Sequence, residues 1–166
     1  MRHPIVMVMG VAGSGKTTIG KALAKALDAR FLDGYDYHTK ATIAHIMAGR
    51  VLTDAMRWPW LDAVGDAVKT ASADTPVVFA CSGLNRIHRD YLRAGLRYRL
   101  VYPEATLAEV QRRFKQMGKR SISGRFLRAQ FELLTPPIKD EAPIIVDFKD
   151  PVETIIAEIT LQLQQN

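Results

Sequence analysis

Short apolar runs alternate with segments whose apolar residues recur every three or four positions, and the alternation continues along the whole chain. The runs suit strands buried on both faces and fall at 5–9, about 29–32, 76–80, 97–102 and 143–147. The helical repeats fall near 16–27, 38–48, 55–73, 84–94, 105–117, 124–134 and 151–164. In the first of these, Ile19, Ala22, Leu23, Ala26 and Leu27 share one face. In the last, Val152, Ile155, Ile156, Ile159 and Leu163 form the buried stripe, with Asp150 expected as the cap and Pro151 in the first turn. Strand–helix alternation over 166 residues predicts one α/β domain: a five-stranded parallel sheet with helices on both faces.

The link between the first strand and the first helix carries the sharpest chemical signal. Gly10-Val11-Ala12-Gly13-Ser14-Gly15-Lys16-Thr17 matches G-x-x-x-x-G-K-[ST], the phosphate-cradling P-loop. A strand, a glycine loop and a helix start point several backbone N–H groups at one spot, and the helix dipole adds positive potential there. Lys16 is expected to reach the β- and γ-phosphates, Thr17 to ligate Mg²⁺, and Thr18 to complete the nucleotide end. ATP and Mg²⁺ are therefore the expected cofactors, on a P-loop NTPase fold.

Composition narrows the partners. Lysine and arginine number 23 against 17 acids, a net charge of +6, with the excess crowded into the second half. No aromatic-interleaved platform or nucleic-acid module accompanies it, so a site closing over anionic substrates explains the cluster better than nucleic acid does. Cys81 is the single cysteine, without disulfide or metal-ligand companions, and it reads as a small buried side chain in a reducing, cytoplasmic protein. The N-terminal apolar run is too short for a secretory signal, and nothing approaches the length of a membrane span. The polar, basic stretch from Gly118 to Gly124 is the expected mobile loop.

Beyond the P-loop, several segments stand in a telling order: Phe31-Leu32-Asp33-Gly34-Tyr35-Asp36-Tyr37-His38, then Leu52-Thr53-Asp54-Ala55-Met56-Arg57-Trp58-Pro59-Trp60-Leu61, then Ala80-Cys81-Ser82-Gly83-Leu84-Asn85-Arg86, and finally Gln130-Phe131. In sequence and spacing the chain resembles the gluconokinase family of P-loop sugar-acid kinases over almost its whole length. The resemblance implies a nucleoside-monophosphate-kinase-like architecture with a mobile lid at about 112–135. It implies transfer of the γ-phosphoryl group of ATP to a hydroxyl of gluconate or a related sugar acid, and it makes a homodimer reasonable. The departures cluster around the implied acceptor pocket: Tyr35 replaces a family acid, Val51 a proline, Met56 an acid and Asn85 a lysine. ATP chemistry is thus expected to be retained and acceptor choice to differ. The alternatives are a kinase of another small hydroxylated metabolite, shikimate-like or specialised, and a nucleotide-binding regulatory protein with weak turnover.

The acceptor hydroxyl needs a carboxylate to orient it or take its proton. Asp33, at the carboxyl edge of the second strand, is expected to hold the Mg²⁺ shell, through water, or the acceptor. Asp36 either substitutes as base or merely caps the next helix. Arg57 has the planar fork that grips a carboxylate, and His38, Arg86 and Gln130 join it as expected substrate contacts. Arg113 is the lid cation expected to meet phosphate, among Lys119, Arg120 and Arg125. Arg89 and Arg93 read instead as a solvated basic face.

Overall fold

The computed structural model of the chain describes residues 3–118 and 123–165. Five strands, β1 (Ile5–Val8), β2 (Arg30–Asp33), β3 (Val77–Ala80), β4 (Arg99–Glu104) and β5 (Ile144–Asp147), form one parallel sheet in the order β2-β3-β1-β4-β5. Each predicted strand is present at its expected place. The seven predicted helices are present too: α1 (Lys16–Ala26), α2 (Lys40–Met47), α3 (Asp54–Ala71), α4 (Arg86–Gly95), α5 (Leu107–Gln116), α6 (Gly124–Leu133) and α7 (Val152–Gln164).

Alternation along β1 explains how the sheet is covered. Val6 and Val8 pack with Ile19 and Leu23 of α1 and with Ile155 and Ile159 of α7. Ile5 and Met7 face the other way, against Trp60, Leu61 and Val64 of α3 and Leu92 of α4. A third cluster, Val11, Leu84, Val110, Leu127 and Phe148, seats α5 and α6 beside the carboxyl ends of the strands. The helix after β1 lies on one face and the helix after β3 on the other, so a crevice opens between those neighbouring strands.

Two helix starts differ from expectation. Thr39, not Asp36, caps α2, its hydroxyl accepting from Thr42 N–H at 3.1 Å. At α7 the residue before the helix is Pro151, with no side-chain cap, and Asp150 does not serve as one. The turn ahead of it is held by Asp147, whose carboxylate accepts from Lys149 N–H at 2.9 Å.

Arg89 is the largest correction. It is fully buried rather than solvated, and it donates to both Glu141 carboxylate oxygens at 2.7 and 2.8 Å. It also donates to the carbonyls of Gly83, Leu84 and Thr135. The guanidinium therefore ties the loop after β3 to the chain that follows α6. Burial alone would raise the pKa of Glu141, but Arg89 overrides it and leaves the carboxyl below its ordinary value.

Candidate active site

The P-loop wraps the junction of β1 and α1. Gly10, Gly13 and Gly15 all have positive φ, which an L side chain rarely adopts. At Gly13 the space is closed as well, since a Cβ there would lie 2.5 Å from the Phe114 ring of α5. Helix α1 begins without a side-chain cap and with no acid in its first turn, so its leading N–H groups are left for an anion. Lys16 folds back over the loop and donates from Nζ to the Val11 carbonyl at 2.9 Å. Burial pushes this ammonium down to about 8, opposed by the charge of Asp33.

Asp33 is the pivot between loop and sheet. One carboxylate oxygen accepts from the Thr17 hydroxyl at 2.7 Å and the other from Tyr35 N–H at 3.0 Å. Its neighbour Gly34 has no room for a side chain, because a Cβ would approach the Ala80 carbonyl to 2.7 Å. Trp60 Nε1–H donates to the Gly34 carbonyl at 2.7 Å, so α3 fixes this turn to the end of β3. The turn directs Tyr35 to the rim of the cavity and Asp36 to solvent.

A cavity of about 530 Å³ extends from the P-loop, between α2 and α6, toward α3 and α4. Beside the P-loop it is lined by Lys16, Thr17, Asp33, Ser82 and Gln130, and elsewhere by His38, Arg57 and His88, set among apolar walls such as Leu52, Trp60 and Phe126. Asp33 is the one carboxylate among the described lining residues. Arg57 is nearly buried, with one N–H on Asp54 at 3.2 Å and another on the Leu52 carbonyl at 3.1 Å, and its remaining donors are not engaged by those partners. His38 stacks on Trp60 with ring centroids 4.6 Å apart, and burial drives its pKa to about 4. It is therefore neutral near pH 7, and Arg57 supplies the fixed positive charge at this end.

The expected site residues divide clearly. The structure brings Lys16, Thr17, Asp33, His38, Arg57 and Gln130 to one cavity. Asp36 is exposed and does not line it. Arg86 is turned outward, paired with Asp140 at 2.8 Å and Asp90 at 3.1 Å on the surface, because both acids lie within reach of its fork there. Arg113 stands away from the cavity, over the Phe148 ring at 5.3 Å and beside Gly15 of the P-loop. Thr18 is exposed on α1. Cys81 lines the cavity as a buried thiol whose pKa burial raises to about 12, which leaves it without nucleophilic character. Lys119 and Arg120 of the expected lid lie outside the described residues.

Sequence reasoning missed His88. It is buried, lines the cavity, lies 3.7 Å from Asp54 through an Nε2 that makes no hydrogen bond, and meets the edge of Trp58. Burial and the nearby Arg57 lower its pKa. Its four-residue spacing from Leu84 and Leu92 was the only signal that it belongs to the buried stripe.

Among the described residues no group of three or more His, Cys, Asp or Glu is placed to hold a metal, and no helix is long and apolar enough to cross a membrane. A family model for shikimate kinase matches residues 12–163. The thermoresistant gluconokinase of Escherichia coli strain K12 is 34% identical over 158 residues, which cover 93% of this chain and 90% of that protein. The crystal structure of a gluconokinase from Sinorhizobium meliloti superposes with a TM-score of 0.84 at 30% identity, covering 99% of this chain and 98% of that one. A sugar kinase from Janibacter is similar as well, with a TM-score of 0.90, 30% identity and coverage of 98% and 95%.

Proposed function

The chain belongs to the kinase family that the shikimate kinase model describes and, within it, to the gluconokinases; from that premise we propose that it transfers the γ-phosphoryl group of ATP to a hydroxyl of gluconate. The observation that carries this reading is a single cavity lined by both the P-loop lysine and a nearly buried arginine. Such an arrangement accepts an acid that presents its carboxylate to Arg57 and a hydroxyl to the phosphates.

Phosphoryl transfer asks mainly for alignment and for neutralisation of spreading charge. The uncapped start of α1 and the amides of Gly13, Gly15, Lys16 and Thr17 would hold the phosphates, with Lys16 leaving the Val11 carbonyl to reach them. Asp33 would accept the proton of the acceptor hydroxyl, and Arg113, beside Gly15, would meet the phosphate chain. The Thr17 hydroxyl and the Asp33 carboxylate form an all-oxygen pair of the kind Mg²⁺ favours, so these residues fit that ion. When bound, Mg²⁺ would offset negative charge on the phosphate oxygens. Helices α5 and α6 would serve as the cover that excludes water.

An acceptor panel tests the assignment. ADP release with gluconate is expected to exceed that with shikimate and with polyols that lack a carboxylate. Arg57→Met should raise the gluconate KM about 10- to 100-fold, the loss of charge-assisted hydrogen bonds. A higher kcat/KM for shikimate or for an uncharged polyol would overturn the gluconate reading.

A further inference from the structure

The peptide that joins Val11 to Ala12 in the P-loop is gripped from two sides. Its carbonyl accepts from Lys16 Nζ at 2.9 Å, and its N–H donates to Gln130 Oε1 at 2.6 Å. Gln130 lies on α6, far along the chain, so this bond fastens the covering helix directly to the phosphate loop. A backbone N–H can be met only by the oxygen of a side-chain amide, which fixes which way round the amide sits. Nε2 is thereby turned from Ala12 and has no bond to any described residue, on a side chain that lines the cavity. The same cavity end holds Lys16, Thr17 and Asp33. A neutral donor at that boundary suits a hydroxyl that must be oriented or an oxygen that gains charge during transfer.

Building on the acceptor cavity assigned above, we propose that Gln130 is an acceptor-positioning residue, anchored through Oε1 to Ala12 N–H so that its two Nε2 hydrogens meet acceptor oxygens beside the P-loop. The anchor also makes acceptor recognition depend on α6 lying against the loop. A glutamine whose amide were free to turn would present oxygen and nitrogen alternately and select nothing.

Two variants of the full chain separate anchor from donor. Gln130→Met removes both, whereas Gln130→Glu keeps an oxygen for Ala12 and loses the hydrogens. By amide-resolved hydrogen exchange on the unliganded protein, Ala12 should exchange roughly tenfold faster in Gln130→Met and stay protected in Gln130→Glu. With ATP and gluconate, both variants should lose about 10²-fold in kcat/KM for the acceptor. The ratio of Gln130→Glu to wild-type activity should climb as pH falls from about 7.5 to about 5.5, as the carboxyl regains an O–H donor. A latch with no donor role would leave Gln130→Glu at wild-type activity at every pH, and that result overturns the proposal. Unchanged Ala12 exchange in Gln130→Met overturns it independently of any acceptor. Wild-type protein inert toward gluconate would instead count against the functional reading, and the exchange result would still decide the anchor.

Discussion

Replacing Asp33 by asparagine is expected to lower kcat by about 10²- to 10⁴-fold with the fold intact. The side chain keeps its shape, and an amide oxygen can still accept from Tyr35 N–H, the contact that starts the turn after β2. What disappears is the one carboxylate that lines the cavity among the described residues. Asp36 cannot replace it, because the turn that presses Gly34 against the Ala80 carbonyl sends Asp36 to solvent. Tyr35 reaches the rim but offers a phenol, not a carboxylate. Steady-state rates with unchanged thermal unfolding would bear this out. A rate within a few-fold of wild type would remove Asp33 from the proton-accepting role.

The second large effect is on stability. Glu141→Ala leaves the Arg89 guanidinium buried and uncompensated, a change expected to cost about 3–5 kcal/mol. Domains of this kind have roughly 5–15 kcal/mol in total, so the urea midpoint should fall steeply. Removing both charges with apolar residues of similar volume should cost less than removing one, since desolvation of the pair disappears with it. The pH dependence follows from the same contact. Glu141 has its pKa lowered in the folded protein, so its contribution is present above the unfolded carboxylate value and is lost as pH falls through the folded one. Urea unfolding of wild type and variant should therefore converge in acid. Equal midpoints at neutral pH would mean that the pair does not hold the loop after β3 to the segment that follows α6.

The strands and the P-loop were legible because local chemistry decides them. Val6, Met7 and Val8, or Val77, Val78 and Phe79, are too short and apolar to be anything but buried strands between turns. The glycines of residues 10–15 adopt the positive φ that the loop motif demands, and Gly13 also has no room for a side chain. Arg89 was illegible because its partner Glu141 lies far along the chain, and because arginines three and four residues apart on a polar helix resemble a solvated face. Arg86 was misassigned for the matching reason: nothing in its own helix tells that Asp140 waits outside. Asp33 and Asp36 could not be separated from spacing alone, since the Trp60 bond to Gly34 that sets the turn comes from α3. Gln130 was expected at the acceptor; its bond to Ala12 N–H needs the packing of α6 on the P-loop, which no periodicity encodes.

Taken together, loop, carboxylate and arginine describe a cavity built to pass a phosphoryl group between two small molecules rather than to water. A single-turnover reaction with ATP labelled at the γ-phosphate, Mg²⁺ and gluconate tests this directly. Label should pass to gluconate in one-to-one yield with ADP, and little should appear as inorganic phosphate. Label confined to inorganic phosphate, or retained in ATP despite tight binding, would contradict the assignment.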